Sequence, residues 1–285
     1  MTTPADLVTP NMPSWCPGCG NFGIWAAFKN AAVKQGWDNT NTVITAGIGC
    51  HGHIVNFVKL TAFEGLHGRA LPVASGIKMV NHRLNVFAFT GDGDCLSEGG
   101  NHFIHTCRRN HNITILLHNN DIYGLTTGQC SPTSPHDFKT GSTPQGNPDQ
   151  PFNVLSLALA SGATFVARGY SGDINGLADL IIKANDHQGV SVVEILQPCT
   201  TFDKTHTHTY FRENCYQLPP DYNPTNLNQA FSKAIEVDGT KLPLGIFYQV
   251  QKSTAESEFP QISSHPLVDT PPSIRNINDL FKKLR

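Results

Sequence analysis

Three places along the chain hold residue types and spacings that could do chemistry. Trp15-Cys16-Pro17-Gly18-Cys19-Gly20 carries two cysteines at C-x-x-C spacing. Such a pair is half of a redox disulfide, of a zinc site or of an iron–sulfur site, and the other half must lie elsewhere. Gly47-Ile48-Gly49-Cys50-His51-Gly52 adds a cysteine and a histidine to a G-x-G-x-x-G pattern. Gly91-Asp92-Gly93-Asp94 and Asn119-Asn120 form a spaced pair, with 25 residues between Gly93 and Asn119. Either motif alone reads as a turn, because Gly, Asp and Asn are common turn formers. On neighbouring strands they bring a carboxylate and a carboxamide oxygen to one crevice. That donor set, completed by phosphate oxygens and water, suits Mg²⁺, and Gly93 lets backbone N–H groups approach phosphates.

The G-x-G-x-x-G loop alone is a weak dinucleotide signal. The fingerprint also needs an acidic residue about 20 positions on, at the end of the next strand. The nearest acid is Glu64, and no strand is read before it, so a nicotinamide site is set aside.

The elements that must position these residues are legible as four apolar runs: TVITA from Thr42, VFAFT from Val86, ITILLHNN from Ile113 and VSVVEIL from Val190. They read as buried parallel strands. One helix is read over CLSEGGNHFIHTCRRN, and others fit residues 21 to 35 and 174 to 187. The fold expected is an open, doubly wound, mostly parallel α/β sheet, with ligands outside the carboxyl ends of its strands. The Pro-, Ser-, Thr- and Gly-rich stretch from about Thr127 to Gln150 reads as a long loop over the site. The domain reading is a binding domain over residues 1–217 and an extension over 218–285 that contacts another subunit.

Composition narrows the function classes. Lys plus Arg number 20 against 22 Asp plus Glu, with no dense basic block, which disfavours nucleic acid. No secretory signal or membrane-length apolar run is read, so the expectation is a cytoplasmic protein. Eight cysteines in such a chain argue for reduced thiols over a disulfide scaffold.

GDG, 25 residues, then NN resembles the diphosphate-binding signature of thiamine-diphosphate enzymes. Together with WCPGCG, GIGCHGHIVNF, HGRALPVASGIKMVNHRLNVFAFTGDGD, GGNHFIHTCRRNHNITILLHNNDIYGLTTGQCSPTSP and QPCTTF, it looks like the β subunit of 2-oxoacid:ferredoxin oxidoreductases, over about residues 13 to 215. The resemblance implies a [4Fe–4S] cluster on Cys16, Cys19, Cys50 and Cys199. Zinc also accepts four cysteines. It implies Mg²⁺ on Asp92, Asn120 and the Ile122 carbonyl, with the diphosphate lined by Gly93, Asp94, Gly124 and Leu125. Ile48, Gly49, Cys50, His51 and His67 fall near the thiamine, and His51 and His67 are acid–base candidates. Thr127 stands where many relatives carry Lys, facing the substrate carboxylate; it offers a hydrogen bond but no charge. Cys95, Cys107, Cys130 and Cys215 have no spacing that builds a second site, and His206 and His208 read as structural or solvated.

The implied reaction converts a 2-oxo acid, coenzyme A and oxidised ferredoxin to acyl-CoA, carbon dioxide and reduced ferredoxin. HGRALPVASGIK and GGNHFIHTCRRN look most like the 2-oxoglutarate type. None of the seven glutamates lies in a second α/β unit able to hold the aminopyrimidine, so a partner α subunit is expected to supply that half of the site. Two other readings stay open: a non-oxidative thiamine-diphosphate decarboxylase or synthase subunit, and a non-catalytic zinc- or nucleotide-binding subunit.

Overall fold

The computed structural model describes residues 3–236, 241–270 and 277–284. Its strands are β1 (Thr42–Ala46), β2 (Thr61–Glu64), β3 (Asn85–Gly91), β4 (Thr114–Asn119), β5 (Ile122–Tyr123), β6 (Gln129–Cys130), β7 (Phe165–Tyr170), β8 (Ser191–Leu196), β9 (Cys215–Gln217) and β10 (Leu242–Gln249). Among the described residues eight of them form one sheet in the order β2-β1-β3-β4-β8-β7-β10-β9, while β5 and β6 make a separate hairpin. All neighbours in the large sheet run parallel except β10, which is antiparallel to β7.

The helices are α1 (Asn21–Gln35), α2 (Ala70–Val80), α3 (Gly100–Arg109), α4 (Val154–Ala160), α5 (Ile174–Asp186), α6 (His208–Asn214) and α7 (Leu227–Ala234), followed by α8 (Ala255–Glu258) and α9 (Ile277–Lys283). Every residue of β4, β7 and β8 is buried, which is why β4 and β8 read as continuous apolar runs instead of alternating ones. Side chains still alternate between two cores. Phe87, Phe89 and Leu116 pack under α1 and α5 with Ile24, Phe28 and Ile181. Val86, Ala88, Ile115 and Leu117 pack on the other side with Leu71, Phe103, Leu155 and Ala230.

Strand β1 lies between β2 and β3, so chain connections leave in opposite directions there. That is the switch point at which open α/β sheets bind ligands. The four strands read from sequence coincide with β1, β3, β4 and β8. The helix read over CLSEGGNHFIHTCRRN is two pieces, a π-turn over Asp94–Glu98 and then α3. The junction is Gly99, where a Cβ would lie 2.8 Å from the Cys95 carbonyl and 2.9 Å from that of Gly68.

Three features differ from the sequence reading. Glu64 does end a strand, the short exposed β2. β7, carrying Arg168 in a buried 2.7 Å ion pair with Glu194, is a central strand. Residues past 218 contribute β10 to the main sheet, and Ala230 and Ala234 of α7 to the second core. No helix among the described residues is long and apolar enough to cross a membrane.

Candidate active site

The turns after β1, β3 and β4 meet in one cavity. Every residue that the resemblance assigns to thiamine diphosphate or Mg²⁺ lines it, Thr127 excepted. Thr127 is exposed, with its backbone in the left-handed region at φ +79°. Its neighbours Leu125 and Thr126 reach the cavity instead.

Asp94 ties the turns after β1 and β2 to its own. Its Oδ1 accepts from the backbone N–H of Ile48 (3.0 Å) and of Gly68 (2.7 Å) and lies 2.8 Å from His67 Nδ1, while Oδ2 accepts from the Thr90 hydroxyl at 2.6 Å. Burial alone would raise this carboxyl. The adjacent His51, the Thr90 hydroxyl and the Gly68 N–H outweigh it and hold the group well below the usual carboxylate range. His51 Nε2 approaches Asp94 Oδ2 to 3.4 Å without hydrogen-bond alignment, and is a buried polar atom with no partner. Its ring is wedged between two glycines, since a Cβ on Gly49 or on Gly91 would come within 2.7 Å of it. Gly49 adopts φ +153° besides.

Asp92 is differently placed. It is 3% exposed, and its Oδ2 accepts from the hydroxyls of Ser131 and Thr133, both at 2.6 Å. Burial nonetheless pushes its carboxyl above the ordinary value. A cation beside it would offset that cost, which suits a Mg²⁺ ligand. These donors come from the long loop over the site, and the signal that could have found them is the cluster of hydroxyls in Ser131-Pro132-Thr133-Ser134. Asn120 Oδ1 accepts from the Ile122 N–H at 3.2 Å, an Asx turn that leaves a lone pair for a metal. Asn119, the first Asn of the pair, serves the scaffold: its amide donates to Glu194 at 2.8 Å and its Oδ1 lies 2.9 Å from the Thr133 hydroxyl, whose proton goes to Asp92.

Sequence reasoning also missed Tyr123, His118 and Gln197. The Tyr123 ring lies over Gly93, where any Cβ would collide with it. His118 is held neutral by burial and by the neighbouring His51. Its Nε2 and the Gln197 Oε1 are further buried atoms without partners at this cavity.

A second cavity of about 260 Å³ is lined by Cys16, Cys19, Cys50 and Cys199, all of them free thiols. The Gly20 N–H donates to the Pro198 carbonyl at 3.2 Å, and the Gln197 amide lies 3.6 Å from Cys19 Sγ, so the C-x-x-C turn is bound to the end of β8. Burial and the like charge of the other cysteines push the Cys50 thiol up to about 12. One zinc ion would draw four sulfurs to roughly 3.8 Å of one another, given Zn–S bonds near 2.3 Å. Among the described residues the one group of three or more such ligand atoms within 4.8 Å is Asp121, Asp203 and His206. The cysteines surround a space larger than a single ion. Cys50, Asn120, Gly124 and Leu125 line both cavities.

Residues 38–195 match the family model of the C-terminal thiamine pyrophosphate-binding domain of thiamine pyrophosphate enzymes. Residues 199–264 match the model of the C-terminal part of the β subunit of pyruvate ferredoxin oxidoreductase. The chain is 43% identical over 272 residues to a 2-oxoacid:ferredoxin oxidoreductase subunit β of Saccharolobus solfataricus, covering 91% of this chain and 89% of that one.

The chain belongs to the 2-oxoacid:ferredoxin oxidoreductase β subunits.

This β subunit is also 43% identical over 199 residues to the 2-oxoglutarate synthase subunit KorB of Archaeoglobus fulgidus, covering 70% of this chain and 74% of that one. A solved 2-oxoglutarate:ferredoxin oxidoreductase from Magnetococcus marinus, with 2-oxoglutarate, coenzyme A and succinyl-CoA bound, superposes with a TM-score of 0.91 at 34% identity, over all of this chain and 96% of that one. The β subunit thus carries a thiamine-diphosphate-binding domain. Its two family models divide between residues 195 and 199, at the end of β8.

Proposed function

We propose that this β subunit, joined to an α-type partner, catalyses the coenzyme A-dependent oxidative decarboxylation of a 2-oxo acid and passes the electrons to ferredoxin. One observation carries the reading: the thiamine-type cavity and the four-cysteine cavity share a wall at Cys50 and Gly124. A non-oxidative thiamine enzyme has no use for an electron acceptor at that wall, and a structural zinc needs a tighter sulfur set.

The roles follow from the chemistry of the donors. Asp92, the Asn120 carboxamide oxygen and the Ile122 carbonyl hold Mg²⁺; Gly93, Gly124 and Leu125 line the diphosphate. Thiamine diphosphate would supply a nucleophilic carbon for the keto group and a thiazolium ring as the electron sink for decarboxylation. Asp94 is assigned to fixing the turns: its oxygens are engaged with Ile48, Gly68, His67 and Thr90, and bare carboxylate facing phosphate would repel it. Ionised Asp94 also fixes the proton of a neutral His67 on Nδ1, leaving Nε2 as the acceptor. His51, its Nε2 3.4 Å from Asp94 Oδ2, packs at the cavity wall beside the thiamine. Cys16, Cys19, Cys50 and Cys199 hold a [4Fe–4S] cluster, four thiolates being its ligand count.

The substrate favoured is 2-oxoglutarate, supported by the solved relative with 2-oxoglutarate bound. Thr127, off the cavity in this chain, is assigned to substrate only in company with the α subunit. The extension from residue 218 is assigned to contact with that partner, and the reduced thiols to a cytoplasmic setting. The test is to purify the chain alone and with an α-type partner, then measure coenzyme A-dependent reduction of ferredoxin or viologen by several 2-oxo acids. Activity only in the pair, highest with 2-oxoglutarate, is expected. Full activity from the isolated chain would refute the subunit reading.

A further inference from the structure

The two histidines of the His206-Thr207-His208 stretch face different partners. His208 Nδ1 lies 2.7 Å from the Tyr170 hydroxyl and its Nε2 lies 2.9 Å from the Gly18 carbonyl. Only one proton arrangement of a neutral ring satisfies both: the tyrosine O–H donates to Nδ1, and Nε2–H donates to the carbonyl. Gly18 sits between Cys16 and Cys19 with φ +76°, at the apex of the C-x-x-C turn. His206 Nδ1 lies 2.7 Å from Asp203 Oδ2 and 3.4 Å from Asp121 Oδ2. Asp121 stands between Asn120 and Ile122, also in the left-handed region at φ +56°. Asp203 closes the turn that begins at Cys199, its N–H donating to the Cys199 carbonyl at 3.1 Å. Burial opposes a charge on His206, while the bond to Asp203 and the two carboxylates favour it.

We infer that the segment from Cys199 to His208 is a strap linking the two cofactor sites, with His208 positioning the C-x-x-C turn and His206 positioning the turn that carries Asn120 and Ile122. Neither histidine is a ligand; each acts through a residue adjacent to ligands. Partners of this kind typically alter metal affinity by about 10–100-fold when removed. The strap rests on the cofactor assignments proposed above.

The two halves separate experimentally in the anaerobically purified complex with the α subunit. His208→Phe should accelerate iron loss to a chelator roughly 10-fold and change the electron paramagnetic resonance spectrum and midpoint potential of the reduced protein, with thiamine diphosphate affinity within twofold of the parent. His206→Ala should weaken Mg²⁺-dependent thiamine diphosphate binding about 10-fold or more, with the spectrum and potential unchanged. His208→Gln, able to accept from Tyr170 and donate to Gly18, and His206→Asn, able to donate to Asp203, should restore each property. Loss of both properties in both alanine or phenylalanine variants, without rescue, would mean general destabilisation and overturn the strap. Parent-like behaviour of all four variants would overturn it too. A parent complex without iron or thiamine would instead sink the cofactor assignment itself.

Discussion

The two cavities sit back to back but are built on opposite plans. Around the thiamine-type cavity, carboxylates and turns are held by a dense set of hydrogen bonds: Asp94 joins three turns, and Asp92 is fixed by Ser131 and Thr133. The turns of the four-cysteine cavity are tied as well, Trp15 to the Cys50 carbonyl, Thr200 to that of Pro17 and His208 to that of Gly18, but the groups facing the space are thiols, and burial favours their protonated form, Cys19 and Cys50 both being shifted up. The first site is shaped before its ligand arrives. If the second holds the cluster proposed above, its cysteines must release protons as it binds, since metal binding and proton release are linked. The shared wall, Gly124, is the place where the plans meet: a Cβ there would come within 3.4 Å of Cys50 Sγ and 3.9 Å of Cys199 Sγ.

The sharpest way to separate the two regions is to remove a sulfur ligand. Cys16→Ser and Cys199→Ser should each lose the cluster and reduce ferredoxin turnover by at least about 1000-fold, because a hydroxyl is a poor ligand for iron–sulfur iron. Thiamine diphosphate binding should stay within about twofold of the parent in a direct titration; joint loss of both would show that the sites are not independent.

The converse change is Asp92→Ala, which removes the carboxylate proposed above to hold Mg²⁺. Mg²⁺-dependent cofactor affinity should fall by at least about 100-fold, on the scale of a lost first metal ligand, while iron content is preserved. Equilibrium dialysis with labelled cofactor measures this directly.

A smaller effect is expected at Gly91, where a methyl group meets His51 Nδ1 at 2.7 Å. Gly91→Ala should cost about 1–3 kcal/mol by overpacking and weaken thiamine diphosphate binding without changing iron content. Denaturant unfolding and cofactor titration of the same preparation test both parts.

The mildest change marks a region that belongs to neither site. Glu256 of α8 accepts from His111 at 2.9 Å and from the Asn112 N–H at 3.2 Å, near the start of β4. Burial opposes its ionisation, but these bonds lower its pKa below the ordinary value. The sign follows from linkage: a depressed carboxyl contributes stability above its unfolded pKa, and that contribution is lost as pH falls through the folded one. Glu256→Gln should therefore destabilise by about 1–3 kcal/mol at pH 7. The deficit should shrink below about pH 4, with both cofactors unaffected at every pH; pH-dependent unfolding curves of the two proteins show it.

Much of this was legible in the chain. TVITA, VFAFT and the runs before Asn119 and Gln197 are buried on both faces, so hydrophobicity alone marks them, and the ligand residues follow them because strand ends are where turns occur. β7 was hidden because Arg168 and Gly169 interrupt its apolar run, and the buried Glu194 partner that makes Arg168 tolerable is not adjacent in sequence. β10 was hidden because Pro243 and Gly245 demote a strand, a penalty relieved at the periphery of the sheet. β2 is four exposed residues, with no burial pattern to read. Asp92 and Asp94 look equivalent in GDGD, yet one is raised and the other depressed, because only tertiary contact decides which hydroxyls, amides and imidazoles surround each.

The central claim is that a thiamine site and an iron–sulfur site share a wall within this one chain. Its most direct test is the anaerobic iron, acid-labile sulfide, zinc and thiamine content of the purified complex with the α subunit, compared with the Cys50→Ser variant. The account predicts about four iron and four sulfide per β subunit beside one thiamine diphosphate, with iron and sulfide lost and thiamine kept in the variant. Zinc in place of iron, or iron retained in full by Cys50→Ser, would contradict it.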